Sequence, residues 1–194
     1  MKQIIILIAI TFFVQKGFAM NTLRSNLVSS GSKEAAVTLY QSYTPSEKAQ
    51  VWVDKMNQVI GLSCWSSDQI NLLVSLNGQI NSSVFSDSAA FLVFEEFVNS
   101  WKSSAIQKFT AQQLRFIVTT VADYSPDDIP HSGGGNAPDC NCSTSSDWCG
   151  GGIFDETCFK TNCSQSHGCG TFWRYNCTGT CFGAQPSRSG QLIF

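Results

Sequence analysis

Charge is scarce in this chain. Only 13% of its 194 residues are Asp, Glu, Lys or Arg, against a usual share of roughly 25%. The 12 basic side chains are outnumbered by 14 acidic ones and form no basic stripe. That argues against nucleic acid as a partner, which would call for clustered Lys and Arg to neutralise phosphates. It equally argues against charge-driven adsorption to anionic lipid. Histidine is rarer still: His131 and His167 are the only two, and they form no His-x₃₋₅-His pair. No Ser-His-Asp order, phosphate loop or metal triad is present, so no catalytic residue is assigned and no cofactor is implied. Beyond the N-terminal segment no apolar run is long enough to span a bilayer. Before residue 140 there is one cysteine, Cys64, and between Ser32 and Tyr124 one proline, Pro45.

The cysteines missing from the first two thirds are concentrated at the end. Eight of the nine lie between Cys140 and Cys181: Cys140, Cys142, Cys149, Cys158, Cys163, Cys169, Cys177 and Cys181. A segment this short buries too little apolar surface to fold unaided, so its cysteines must be staples or metal ligands. Structural zinc sites favour paired Cys-x₂₋₄-Cys knuckles. Cys140-Asn141-Cys142 is too tight for one, and Cys177 to Cys181 alone could serve. The even count and irregular spacing read as four disulfides, with 105 possible connectivities left open. Cys64 is left over as a thiol, a small hydrophobe expected to be half-buried beside Trp65.

The N-terminus agrees with an oxidising destination. Lys2 precedes an apolar run from Ile4 to Val14, and Gly17-Phe18-Ala19 supplies small residues for a signal peptidase. Residues 1–19 therefore read as a secretory signal, and an eleven-residue run, broken by Thr11, is too short for a membrane anchor. The protein is expected to be exported, to the medium, the periplasm or the cell surface. Removing Lys2 and Lys16 with the signal leaves 10 basic against 14 acidic residues.

Residues 20–31 form an N-terminal extension, and 32–125 carry helical periodicity. Thr44-Pro45-Ser46-Glu47, Ser66-Ser67-Asp68-Gln69 and Thr110-Ala111-Gln112-Gln113 are capping boxes. Behind them Trp52, Met56 and Val59, then Ile70 and Leu73, then Leu114, Ile117 and Val118 share faces. Asp87 opens a helix with Phe91, Phe94, Val98 and Trp101, and a weaker helix covers Lys33 to Ser42. Five amphipathic helices with short connections make a bundle. Glu95-Glu96 is an adjacent pair that points in two directions, hence a solvated face rather than a catalytic dyad.

A Pro/Gly/Ser-rich linker, 126–138, follows. Gly133, Gly134 and Gly135 are its accessible centre and the expected site of proteolytic cleavage. The module beyond it, 139–185, is rich in aromatics and ends in a tail, 186–194. A disulfide-braced unit of this size has too little interior for all its rings. Phe172, Trp173, Arg174 and Tyr175 are accordingly expected to form an exposed contact patch, because Trp, Tyr and Arg dominate binding hot spots.

The run from Asp139 to Cys149, Asp-Cys-Asn-Cys-Ser-Thr-Ser-Ser-Asp-Trp-Cys, resembles the opening of the fulvocin C bacteriocin family. Gly168-Cys169-Gly170-Thr171-Phe172-Trp173-Arg174-Tyr175 resembles that family's second half. The likeness covers roughly residues 138–185, and departs from the family around Gly150 to Ser166 and at the spacing of Cys177 and Cys181. It implies an exported precursor, mainly α, in which a small helical bundle precedes a small disulfide-rich module active against competitor bacteria; release of that module by cleavage is the expectation from the linker itself, which sits where the likeness begins. The partner would be a surface component of a competitor bacterium, with any membrane contact made through aromatics rather than charge. The competing expectation is a secreted binding or inhibitor module that kills nothing, its partner another protein.

Overall fold

The computed structural model describes residues 21–124, 140–149 and 157–182. The signal segment, the linker with Gly133–Gly135 and His131, and the tail lie outside them. Seven helices are described: α1 (Thr22–Val28), α2 (Lys33–Ser42), α3 (Pro45–Ile60), α4 (Ser67–Asn77), α5 (Ser82–Ser86), α6 (Ser88–Ala105) and α7 (Ala111–Thr119). Four short strands follow: β1 (Thr157–Lys160), β2 (Ser166–Cys169), β3 (Tyr175–Cys177) and β4 (Gly179–Phe182). The protein is thus mainly α, with a disulfide-rich C-terminal module.

Helix starts follow the capping chemistry. At Thr44, Ser66 and Thr110 the hydroxyl accepts from the backbone three residues on, and Glu47, Gln69 and Gln113 reach back to the cap backbone. Each box satisfies two otherwise orphaned N–H groups, stabilising its helix by about 1 kcal/mol. Asp87 caps α6 by accepting from Ala89 and Ala90. The long α3 is the central element, packed on α1, α4, α5 and α7. Its Val51, Trp52, Met56 and Val59 are fully buried, as the 3.6-residue period requires.

The bundle begins earlier than the sequence suggests. The residues set aside as an extension contain α1, whose Leu27 joins the core and whose Arg24 is 1% exposed. Arg24 donates from Nε to the Val121 carbonyl at 2.7 Å and from Nη1 to Asp54 at 2.9 Å, and its Nη2 pairs with Asp123. Lys55, also fully buried, donates to the Ala122 carbonyl. Gln58 accepts from the Tyr124 N–H and donates to its carbonyl, at 3.0 and 3.1 Å. These side chains clamp the chain where it leaves α7.

Burial, together with the nearby Arg24 charge, lowers the Lys55 pKa to about 6. The unfolded chain, with an ordinary lysine, then binds a proton that the folded chain does not between pH 6 and roughly 10. Stability therefore rises with pH across that window, by up to about 1.4 kcal/mol per unit from this group. Lys55→Met should flatten the slope and raise the denaturation midpoint at pH 6 to 7. Urea melts at several pH values check this, and an unchanged slope in the variant would refute it.

In the module, β1 pairs antiparallel with β4, placing Cys158 opposite Cys181, and β2 pairs antiparallel with β3. The second ladder is irregular between His167 and Cys169, where Gly168 adopts φ +85°. The bridges are Cys140–Cys163, Cys142–Cys158, Cys149–Cys181 and Cys169–Cys177. All four lie inside the module, and Cys64 remains a free thiol. It is exposed rather than half-buried; the neighbouring Trp65 takes the interior position, donating to the Val59 carbonyl at 2.7 Å. Intact mass after alkylation without reductant should show one modified cysteine; several modified sites would contradict this pattern.

Candidate functional site

The bundle and the module meet in one seam. Trp148, Phe172 and Trp173 belong to the same buried cluster as Trp52, Phe94 and Trp101. The expectation of an exposed patch at Phe172, Trp173, Arg174 and Tyr175 is therefore corrected. The structure brings the four together but turns them into the bundle: Phe172 is 1% exposed, Trp173 5% and Tyr175 9%, and Arg174 is half-buried. The module alone has too little interior for these rings, and the bundle supplies it.

Each ring is held by named partners. Phe172 sits with its centroid 4.8 Å from Trp52 and 5.8 Å from Phe94. Trp173 stands edge-on to Tyr40 at 5.3 Å and to Trp52 at 5.9 Å. Tilted and edge-on pairs of this kind add about 0.5–1.5 kcal/mol each beyond their area burial. The polar atoms are satisfied across the seam as well. Trp173 Nε1 donates to the Thr119 carbonyl at 2.7 Å. Trp52 Nε1 donates to Tyr40 Oη at 2.9 Å, and Tyr40 Oη donates to the Phe172 carbonyl at 3.3 Å. Burial pushes the Tyr40 phenol pKa well above its ordinary value, so this relay stays neutral.

Two cations reinforce the contact. Arg174 donates from Nε to the Val84 carbonyl at 2.8 Å, its guanidinium lying 4.4 Å from the Phe91 ring centroid. Lys102 of α6 donates to the Asp147 carbonyl and lies 4.3 Å from the centre of the Trp148 ring. Gly168 marks a close backbone approach. A Cβ there would meet Val37 Cγ2 of α2 at 2.5 Å. Any L side chain there would force the Val37 side chain to shift, and φ +85° is itself a conformation that favours glycine.

The docked turn is strained. Phe172 and Trp173 form a short 3₁₀ turn, Thr171–Trp173, and both have φ 55°. Left-handed backbone at bulky residues costs of order 1–3 kcal/mol each and persists only where surrounding contacts enforce it. Here the enforcing contacts come from the bundle.

Sequence reasoning missed that the helical faces of α2, α3 and α6 carry more apolar and aromatic surface than the helices can cover for one another. Tyr40, Trp52, Phe91 and Phe94 share that surplus. The sulfurs of Cys142, Cys149 and Cys158 lie within 4.8 Å of one another, but all three are committed to disulfides and offer no thiolate. Among the described residues no helix is long and apolar enough to cross a membrane. Comparison with protein-family models, with curated proteins and with solved structures finds no match.

Proposed function

We propose that the protein is an exported bacteriocin-like precursor in which the helical bundle masks the aromatic run of the disulfide-rich module. The observation that carries this reading is the burial of Phe172 and Trp173, the centre of the bacteriocin-like run, against Tyr40, Trp52 and Phe94. The run would engage a surface component of a competitor bacterium once withdrawn from the bundle. Its strained backbone favours the same direction, because withdrawal lets Phe172 and Trp173 relax. The four disulfides suit an oxidising compartment.

The docked arrangement changes how activation must work. No disulfide joins module to bundle, yet the aromatic seam is a protein interior. Cutting the linker near Gly133–Gly135 removes the tether and leaves the interior intact. Activation thus takes two steps, cleavage and undocking.

The test compares the uncut protein, the nicked protein and the oxidised 138–194 peptide on a panel of bacteria. The peptide should inhibit growth, the uncut protein should not, and the nicked protein should be weak until undocked. A peptide inert across the panel overturns the toxin reading. A second reading then stands: a secreted one-piece binding protein with no killing activity. It is favoured by the shared core and by a groove of about 550 Å³ along the seam, lined by Lys33, Val37, Gln41, Asn141 and His167 among others.

A further inference from the structure

A separate feature of the seam is a cavity of about 230 Å³ that exists only while the module is docked. The bundle supplies Gln41, Lys48 and Phe85 to its wall, and the module supplies His167, Arg174 and Asn176. Two cations from different parts of the chain thus face one pocket that is open to solvent on one side. Among the described residues neither has a carboxylate within ion-pair distance, the described pairs being Arg24–Asp54, Arg24–Asp123 and Lys108–Asp68. Glu95, the nearby acid, acts on the Tyr175 phenol.

Arg174 uses Nε on Val84 and its face on Phe91, which leaves its two terminal nitrogens for another acceptor. Lys48 makes one long hydrogen bond, 3.4 Å to the Gln41 carbonyl, which leaves two of its three donors. His167 Nδ1 lies 2.7 Å from Asn176 Oδ1, and the Asn176 amide nitrogen is left to donate. The wall is therefore rich in donors, and its positive charge is met by aromatic faces, Tyr40 at 5.4 Å from Lys48 and Phe91 at 4.4 Å from Arg174, but by no carboxylate among the described residues. Burial and then the Arg174 charge both lower the Lys48 pKa, so the fold holds like charges together at a cost. A bound anion would relieve it.

We propose that this cavity is a binding site for the anionic group of a small ligand, a phosphoryl or a carboxylate group, held between Lys48 and Arg174. The planar guanidinium matches either group bidentately, and the ammonium adds a point charge. Because both halves of the chain build the site, occupancy stabilises the docked state by mass action. The inference rests on the docked geometry alone and not on the toxin reading.

The experiment titrates the oxidised protein with inorganic phosphate, and separately with acetate, at constant ionic strength, following heat of binding and thermal midpoint. Saturable binding with a rising midpoint is expected for at least one anion, and the one that binds identifies the group. Lys48→Gln and Arg174→Gln should each weaken it tenfold or more, while Lys160→Gln on β1 should leave it unchanged. Arg174 also holds Val84, so Lys48→Gln decides if Arg174→Gln fails to fold. No saturable response to either anion, or an equal response in Lys48→Gln, overturns the proposal. Neither readout involves killing, so failure here leaves the proposed function standing.

Discussion

Replacing Phe172 with alanine is expected to cost about 3–5 kcal/mol of stability, the range for emptying a fully buried aromatic position. The ring is 1% exposed and packs on Trp52 and Phe94. Trp52→Ala should fall in the same range. The two losses should not add, because each variant already removes the contact with the other ring. A coupling of about 0.5–3 kcal/mol is the expected result of the double-mutant cycle by denaturant melts. Phe172→Gly separates packing from backbone. Alanine keeps the left-handed strain at φ 55°, and glycine relieves roughly 1 kcal/mol of it while losing the same ring. Glycine should therefore be the milder substitution here, the reverse of the usual order in ordered structure. Additive losses for Phe172 and Trp52 would mean that the module folds apart from the bundle.

The helical half was legible because its signals are local. The capping boxes at Thr44, Ser66 and Thr110 name their own partners three residues on. The stripe Trp52, Met56, Val59 states its period directly. Helix α1 was not legible, because it is short and its stability comes from contacts such as Arg24 with Val121, 97 residues away. The number of disulfides followed from the even count of clustered cysteines, but pairing is a property of the folded path, and even the β1–β4 register alone would not place Cys149 on Cys181. The fate of the aromatic run turned on a fact that no window of sequence contains. Phe172 to Tyr175 look surplus to the module, and Tyr40, Trp52 and Phe91 look complete on their own helices. Only the joined structure shows that each surplus answers the other.

Nicking the linker should leave the protein in one piece under native conditions, and Gly168→Ala should then make it fall apart. The four bridges are internal to the module, so a cut chain has two covalently separate parts. Denaturing gels without reductant should show both, while gel filtration should show a single species of the parent size. What holds them is the aromatic seam, and its tightest point is Gly168 against Val37. An alanine methyl group 2.5 Å from Val37 Cγ2 forces Val37 out of its place in the seam, and φ +85° adds strain of about 1–2 kcal/mol. The nicked Gly168→Ala protein should elute as two species. The strain term alone could unsettle β2, so the decisive variant is Gly168→Ala with Val37→Ala. The contacts made at 2.5 and 3.0 Å are to the Val37 methyl groups, and removing them restores room without touching the backbone of β2. Partial recovery of the single species assigns the effect to docking; no recovery assigns it to the bulge itself. If the nicked wild-type protein separates without any mutation, cleavage alone suffices to free the module, and the two-step activation is wrong. If it stays whole and the docking variant gains growth-inhibiting activity, the seam is the element that keeps the module silent.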